Sequence, residues 1–181
     1  DRVLGIKKAK ELGSKVIFLD DGFSKYNIKK FDILLKPKDE PTNNFCIPSG
    51  AYREPKSFYK KANLVLKEGI DFKREVEIKK DGTKSKLPEK TILLTAISKP
   101  KRLLEFLPKN IETIFFEDHH TFTKDDIEKI LKKYKDFEIV TTQKDFVKLE
   151  KFHLNNLYIM DLKIKISEKL DLKELNTYLK I

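Results

Sequence analysis

Cysteine is almost missing from this chain of 181 residues. Cys46 stands alone, so neither an intrachain disulfide nor a cysteine-based zinc cluster can form, and a reducing compartment is the default. Long apolar runs are missing too: no stretch approaches the roughly 18 residues of a membrane-spanning helix. Charges interrupt the opening "DRVLGIKKAKELGSK" throughout, which is not the pattern of a signal peptide. Glycine is scarce. None of Gly5, Gly13, Gly22, Gly50, Gly69 and Gly82 belongs to G-x-x-x-x-G-K-[ST], the loop that cradles nucleotide phosphates. "LGSK" at 12–15 imitates the end of that loop, but it lacks the earlier glycine and runs into an apolar segment. The chain opens with Asp, not Met, so any such loop is expected upstream of Asp1.

Lysine is abundant instead. Lys and Arg number 39 against 29 Asp and Glu, a net charge of +10. That excess points to an anionic partner, whether nucleic acid, a phosphorylated substrate or an anionic membrane surface; the competing reading is a lysine-rich solvated surface. The lysines are dispersed along the chain, which argues against nucleic acid. The thirteen phenylalanines fall mostly in apolar runs and read as core, not as stacking platforms for bases. An apolar fraction of 39% suffices for one ordinary domain or one and a half small ones.

Two kinds of segment alternate. Residues 2–13 fit a helix with Val3, Ile6, Ala9 and Leu12 on one stripe and Gly13 as its stop. "KVIFLDD" and "FDILLKP" read as buried strands, and a short helix after Pro55 leads to the strand "ANLVLKEG". "FKREVEIKKDGTKSKL" places Asp81-Gly82 between alternating arms, the mark of a hairpin or ribbon. "TILLTAI", "IETIFFEDHH", "FEIVTT" and "LYIMDLKIKI" are further strands. Pro100 opens a helix carrying Leu103, Leu104 and Leu107. Thr123 and Asp126 form a capping box ahead of Ile127, Ile130, Leu131 and Tyr134. A short helix follows "FEIVTT", and "DLKELNTYLK" is the last helix. This alternation predicts an α/β fold of parallel sheets with crossover connections.

Ligands in such sheets gather at the carboxyl ends of strands. Three strands end in chemistry here: one in Asp20 and Asp21, one in Glu117, Asp118, His119 and His120, and one in Thr141, Thr142, Lys144 and Asp145. An apolar strand ending in Asp fits a Mg²⁺ ligand at nucleotide phosphates. Two adjacent carboxylates repel unless a cation separates them, which favours a metal role for Asp20 and Asp21. The plainer reading is a turn capped by one of them before Gly22. Either His119 or His120 can accept a proton, orient a carboxylate or bind metal; the plainer reading is a solvated strand end. His153 has no acidic neighbour in sequence and reads as a surface residue.

Four motifs, "DDGF" at 20–23, "PSGAYREP" at 48–55, "EDHH" at 117–120 and "TTQKDFVKL" at 141–149, resemble in order and type those of the tetraacyldisaccharide 4'-kinase family. The resemblance spans nearly the whole chain. It implies P-loop-type α/β domains joined by a β-ribbon: residues 1–69 as the end of a nucleotide-binding domain, 70–90 as the ribbon and 91–181 as a second domain. It also implies transfer of the ATP γ-phosphoryl group to the 4'-hydroxyl of a tetraacyldisaccharide 1-phosphate. Asp20 and Asp21 match the pair associated with Mg²⁺ and ATP, and His119 the first histidine of D-H-H, supporting a catalytic aspartate. Arg53 and Glu54 match the R-E pair near the substrate. Asp118 and His120 flank His119, and Thr142, Lys144 and Asp145 match a T-T-E-K-D motif that either holds the second domain together or touches substrate. The implied partners are an anionic glycolipid and the cytoplasmic face of the inner membrane of a Gram-negative bacterium, with no nucleic acid.

The chain departs from the family pattern at Ser24-Lys25, where the family has Q-H, and at Gln143, where it has Glu. Lys25 can meet a phosphate but does not replace the histidine. The phosphate loop and the aspartate partner of His119 are expected upstream, which leaves this chain incompetent alone. Two other classes stay open: a metal-dependent phosphoesterase of the D-H-H type, for which the expected D-x-D motif is lacking, and a non-catalytic anion-binding module.

Overall fold

The computed structural model describes residues 1–180 and contains two compact units, one of residues 1–73 with those from 166 onward and one of residues 74–165. The segments 1–69, 70–90 and 91–181 are drawn differently from these units: 74–90 belongs with the strands after it, and the last helix belongs with the beginning of the chain.

The first unit starts with α1 (Arg2–Glu11), capped by the Asp1 carboxylate, which accepts from the Val3 N–H at 2.7 Å. Its far end is a Schellman motif. Gly13 takes φ +80°, its N–H donates to the Lys10 carbonyl at 2.9 Å, and the Ser14 N–H donates to the Ala9 carbonyl at 3.0 Å. Val3, Ile6 and Ala9 are half-buried, whereas Leu12 is exposed. The segment 16–19, expected as a strand, is not one: it has no ladder partner among the described residues, and Phe18 is 92% exposed. Apolar runs signal a tendency to be buried, but a strand needs a neighbour to take its N–H and C=O groups. The ladder of this unit is β1 (Ile33–Lys36) beside β2 (Leu64–Lys67), parallel, with a 3₁₀ helix at Lys56–Lys61 in the crossover.

The second unit carries a six-stranded sheet. β3 (Phe72–Lys80) turns into β4 (Thr83–Lys84) through Asp81 and Gly82, both at positive φ, as a two-residue hairpin turn demands. Then follow β5 (Thr91–Thr95), a 3₁₀ helix at Pro100–Phe106, β6 (Glu112–Phe115), α2 (Lys124–Lys133), β7 (Glu138–Thr142), α3 (Gln143–Leu149) and β8 (Leu157–Ile166). The helix expected after Pro100 is thus 3₁₀; Leu107, just past its end, is buried and Leu104 is exposed. Strand order is β4-β3-β8-β7-β5-β6, with β6, β5, β7 and β8 parallel. The last described helix, α4 (Lys173–Leu179), returns to the first unit, where Tyr178 meets Phe31 with ring centroids 5.3 Å apart and the Ser167 N–H donates to the Asp71 carbonyl.

β5 is the axis of the second unit. All five of its residues are buried, as expected of a parallel strand covered on both faces. Alternation sorts the cores: Ile92, Leu94 and Ile139 pack with Ile127 and Ile130 of α2, while Leu93 and Val140 pack with Tyr158, Met160 and Leu107. The capping box of α2 forms as expected, with the Asp126 N–H bonded to Thr123 Oγ1 and the Thr123 N–H to the Asp126 carboxylate.

Thr141 lies fully buried in β7, and its hydroxyl has no hydrogen-bond partner among the described residues. Replacing it with the isosteric valine removes an unpaired polar atom. Thr141→Val is expected to stabilise the unit by about 1 kcal/mol, raising its melting temperature by roughly 2–4 °C in a calorimetric scan. A fall in melting temperature would show that the hydroxyl is satisfied.

Candidate functional site

The first unit presents an acidic turn. Asp20 and Asp21 are both exposed, directly before the buried Gly22. A side chain at Gly22 would meet the Leu19 Cβ at 2.9 Å and its carbonyl at 3.0 Å, so the tight turn needs glycine. Asp21 sits at φ 51°, and its carboxylate pairs with the Arg53 guanidinium. The Asp20 carbonyl accepts from Arg2. Lys25 continues the same turn, its N–H donating to the Gly22 carbonyl at 3.0 Å.

Arg53 and Glu54 are delivered by a folded loop. The Ile47 N–H donates to the Tyr52 carbonyl at 2.8 Å, the Tyr52 N–H to the Phe45 carbonyl at 3.3 Å, and the N–H groups of Ser49 and Gly50 both to the Cys46 carbonyl. Any Cβ at Gly50 would fall on the Phe45 carbonyl, so close backbone approach, not a positive φ, demands glycine there. Desolvation and the neighbouring Glu54 carboxylate push the Tyr26 hydroxyl pKa up.

Glu40 escaped the sequence reading. It accepts from Lys36 at 2.6 Å, Lys56 at 2.7 Å and the Tyr52 hydroxyl at 3.4 Å, tying the end of β1 to the loop that bears Arg53. Hydrogen bonds from Lys36 and then Lys56 hold its carboxyl at about 2. An isolated Glu four residues after a Lys carries no signal of this; the partners come from three segments.

In the second unit the motif residues converge on Asp145, which is fully buried. One carboxylate oxygen, Oδ2, accepts from Thr95 Oγ1 at 2.6 Å, the Ala96 N–H at 3.1 Å and Thr142 Oγ1 at 3.0 Å. The other, Oδ1, faces Lys148 Nζ at 3.4 Å. Thr142 N-caps α3 through the Asp145 N–H, which sets Asp145 at the strand–helix junction. Burial pushes the Asp145 carboxyl up, but the bonds from Thr95, Ala96 and Thr142, with Lys148, outweigh it and hold it below the ordinary value. Thr95 and Lys148 were not singled out from sequence. The available signal was a polar residue inside the otherwise apolar run "TILLTAI".

The same strand ends carry the "EDHH" turn. The Phe116 N–H donates to the Thr95 carbonyl at 3.0 Å, and the His119 N–H to the Ala96 carbonyl at 3.2 Å. His119 takes φ 65°, with its side chain 75% exposed and 3.7 Å from Asp118. Lys144 Nζ lies 3.8 Å from the other oxygen of Asp118. His120 turns the opposite way: Nε2 is 3.0 Å from Asp126 Oδ2, the ring stacks on Phe116, and its carbonyl accepts from Lys148 Nζ at 3.1 Å. The two histidines therefore differ in setting, His119 presented outward and His120 partly buried against Phe116 and Asp126. Glu117 contributes its carbonyl to the His120 N–H. Backbone bonds from Thr123, then His120, hold the Asp126 carboxyl at about 2.

Among the described residues no group of three or more His, Cys, Asp or Glu side chains is gathered as a metal cage. Asp20 and Asp21 supply a partial donor set of two hard carboxylates. That suits Mg²⁺, which commonly takes one or two carboxylates and completes its shell with water and phosphate. Arg53, paired with Asp21, and Lys25, on the acidic turn itself, are cations suited to meeting phosphate.

Asp145→Asn removes the charge that gathers these donors and is expected to cost the unit about 2–4 kcal/mol in urea unfolding. The acid limb of stability should change with it. Asp145 and Asp126 have folded pKa values depressed from the ordinary 3.8, Asp126 to about 2, so their contribution is complete above pH 4 and lost as pH falls from there through the folded values. Asp145→Asn should flatten acid unfolding in that window, followed by circular dichroism; an unchanged acid limb would mean that the carboxylate is not held ionised.

Residues 1–180 match the sequence model of the tetraacyldisaccharide-1-P 4'-kinase family. The chain is similar to the tetraacyldisaccharide 4'-kinase of Aliarcobacter butzleri (69% identity over 179 residues, 99% of this chain and 57% of that protein) and to that of Campylobacter jejuni (45% over 180 residues, 99% and 56%). It thus spans a little over half the length of these relatives. Its fold is similar to the crystal structure of the "apo" form of LpxK from Aquifex aeolicus in complex with ATP, at TM-score 0.63 and 20% identity, over 97% of this chain and 61% of that one. The α/β fold expected from the alternation of strands and helices is the one found. With nearly every residue matched, the chain belongs to the tetraacyldisaccharide-1-P 4'-kinase family.

Proposed function

We propose that the protein transfers the γ-phosphoryl group of ATP to the 4'-hydroxyl of a tetraacyldisaccharide 1-phosphate, in lipid A biosynthesis, and that this chain supplies part of the machinery. The family match over residues 1–180 carries the reading. The ATP in the similar Aquifex aeolicus structure supports the nucleotide assignment. By family pattern, residues 1–69 are assigned to the nucleotide-binding domain, 70–90 to a β-ribbon and 91–181 to a second domain, while the last described helix packs with the first unit and 74–90 with the second.

Phosphoryl transfer asks little covalent chemistry of a protein. It asks for charge neutralisation and an aligned hydroxyl. Asp20 and Asp21 would hold Mg²⁺, which would supply charge neutralisation at the nucleotide phosphates. Arg53 has a planar fork suited to a phosphate, and Glu54 beside it to a sugar hydroxyl. His119, exposed on its turn beside Asp118 and Lys144, is positioned to support the base that accepts the 4'-hydroxyl proton. The substrate is an anionic glycolipid and the chain carries +10, so a peripheral station on the cytoplasmic face of the inner membrane fits both. No helix among the described residues is long and apolar enough to cross a membrane.

Radiolabelled ATP transfer to tetraacyldisaccharide 1-phosphate by the full-length protein tests the proposal. Asp20→Ala should abolish transfer, and His119→Ala should slow it about 10²–10⁴-fold, the range of a lost acid–base partner. No transfer by the wild-type protein would overturn the assignment.

A further inference from the structure

We propose that Lys148 and Asp145 are positioning residues for His119, gripping the 117–120 turn from both sides. This rests on the kinase reading for the role of His119. The Ala96 N–H donates to Asp145 Oδ2, and the Ala96 carbonyl accepts from the His119 N–H, so the buried carboxylate holds the approach to the turn through the backbone of one residue. On the exit side Lys148 Nζ donates to the His120 carbonyl at 3.1 Å and faces Asp145 Oδ1 at 3.4 Å. Both ends of His119 therefore lead back to one carboxyl group.

Two observations separate positioning from plain stability. Asp145 Oδ2 is already served by three donors without Lys148, and the shorter bond of Lys148 goes to the turn, not to the carboxylate. His119 also takes a left-handed backbone conformation at φ 65°, uncommon for a residue with a side chain, so its presentation depends on what flanks it. Asp145 and Lys148 stand three apart on α3, on one face of the helix, as a grip of this kind requires.

The test is a double-mutant cycle in the full-length protein. Lys148→Met should lower kcat by about 10–100-fold, the scale of a misplaced catalytic group, with KM for ATP changed less than about twofold. Lys148→Arg should restore most of the loss. In a His119→Ala background Lys148→Met should cost less than about twofold more, because a residue acting through another has nothing left to position. An undiminished loss in that background overturns the proposal. If the wild-type protein transfers no phosphate, the kinase reading fails and amide exchange decides the clamp. Lys148→Met should then speed exchange at His119 and His120 at least about tenfold, leaving β5 unchanged; unaltered exchange at those two amides overturns it.

Discussion

A single buried carboxylate organises the second unit. Asp145 is fully buried, and a charge in that position is tolerable only because hydroxyl, amide and ammonium groups converge on it. Those donors come from three places: the end of β5, the cap of α3 and the next turn of that helix. Satisfying one charge therefore fixes the end of the central strand against the start of a helix, and the "EDHH" turn hangs from the same strand end. Without the carboxylate, four donors would lose a shared acceptor at once.

The two units solve the problem of holding polar groups in different ways. In the second, the key group is buried and its partners are mostly short groups with few rotamers. In the first, Glu40, Lys36, Lys56, Arg53 and Asp21 are long or exposed groups paired across loops. Exposed pairs contribute little to stability individually, so the first unit depends more on its backbone architecture, above all the bonded loop around Gly50.

Local chemistry made much of this legible in the sequence. The Asp81-Gly82 turn, the Thr123–Asp126 box, the Gly13 stop and the buried runs "TILLT" and "EIVTT" each state their structure within a few residues. What was not legible depends on distant partners. Residues 16–19 have the apolarity of a strand but no ladder among the described residues. Thr95 and Asp145 meet across 50 residues, and no spacing rule joins them. The last helix joins the first unit through Phe31 and Ser167, contacts that a linear reading assigns to the neighbouring segment. Motif order identified the family, yet it gave no sign that the paired histidines point to opposite duties.

The ion pair between Asp21 and Arg53 has a consequence for the order of events at the acidic turn. Any divalent cation that takes the Asp21 carboxylate must displace a guanidinium already resting there. Because the pair is exposed, that exchange is easy. Asp21 and Arg53 thus share one exposed ion pair, and a ligand for either residue would compete with the other for it.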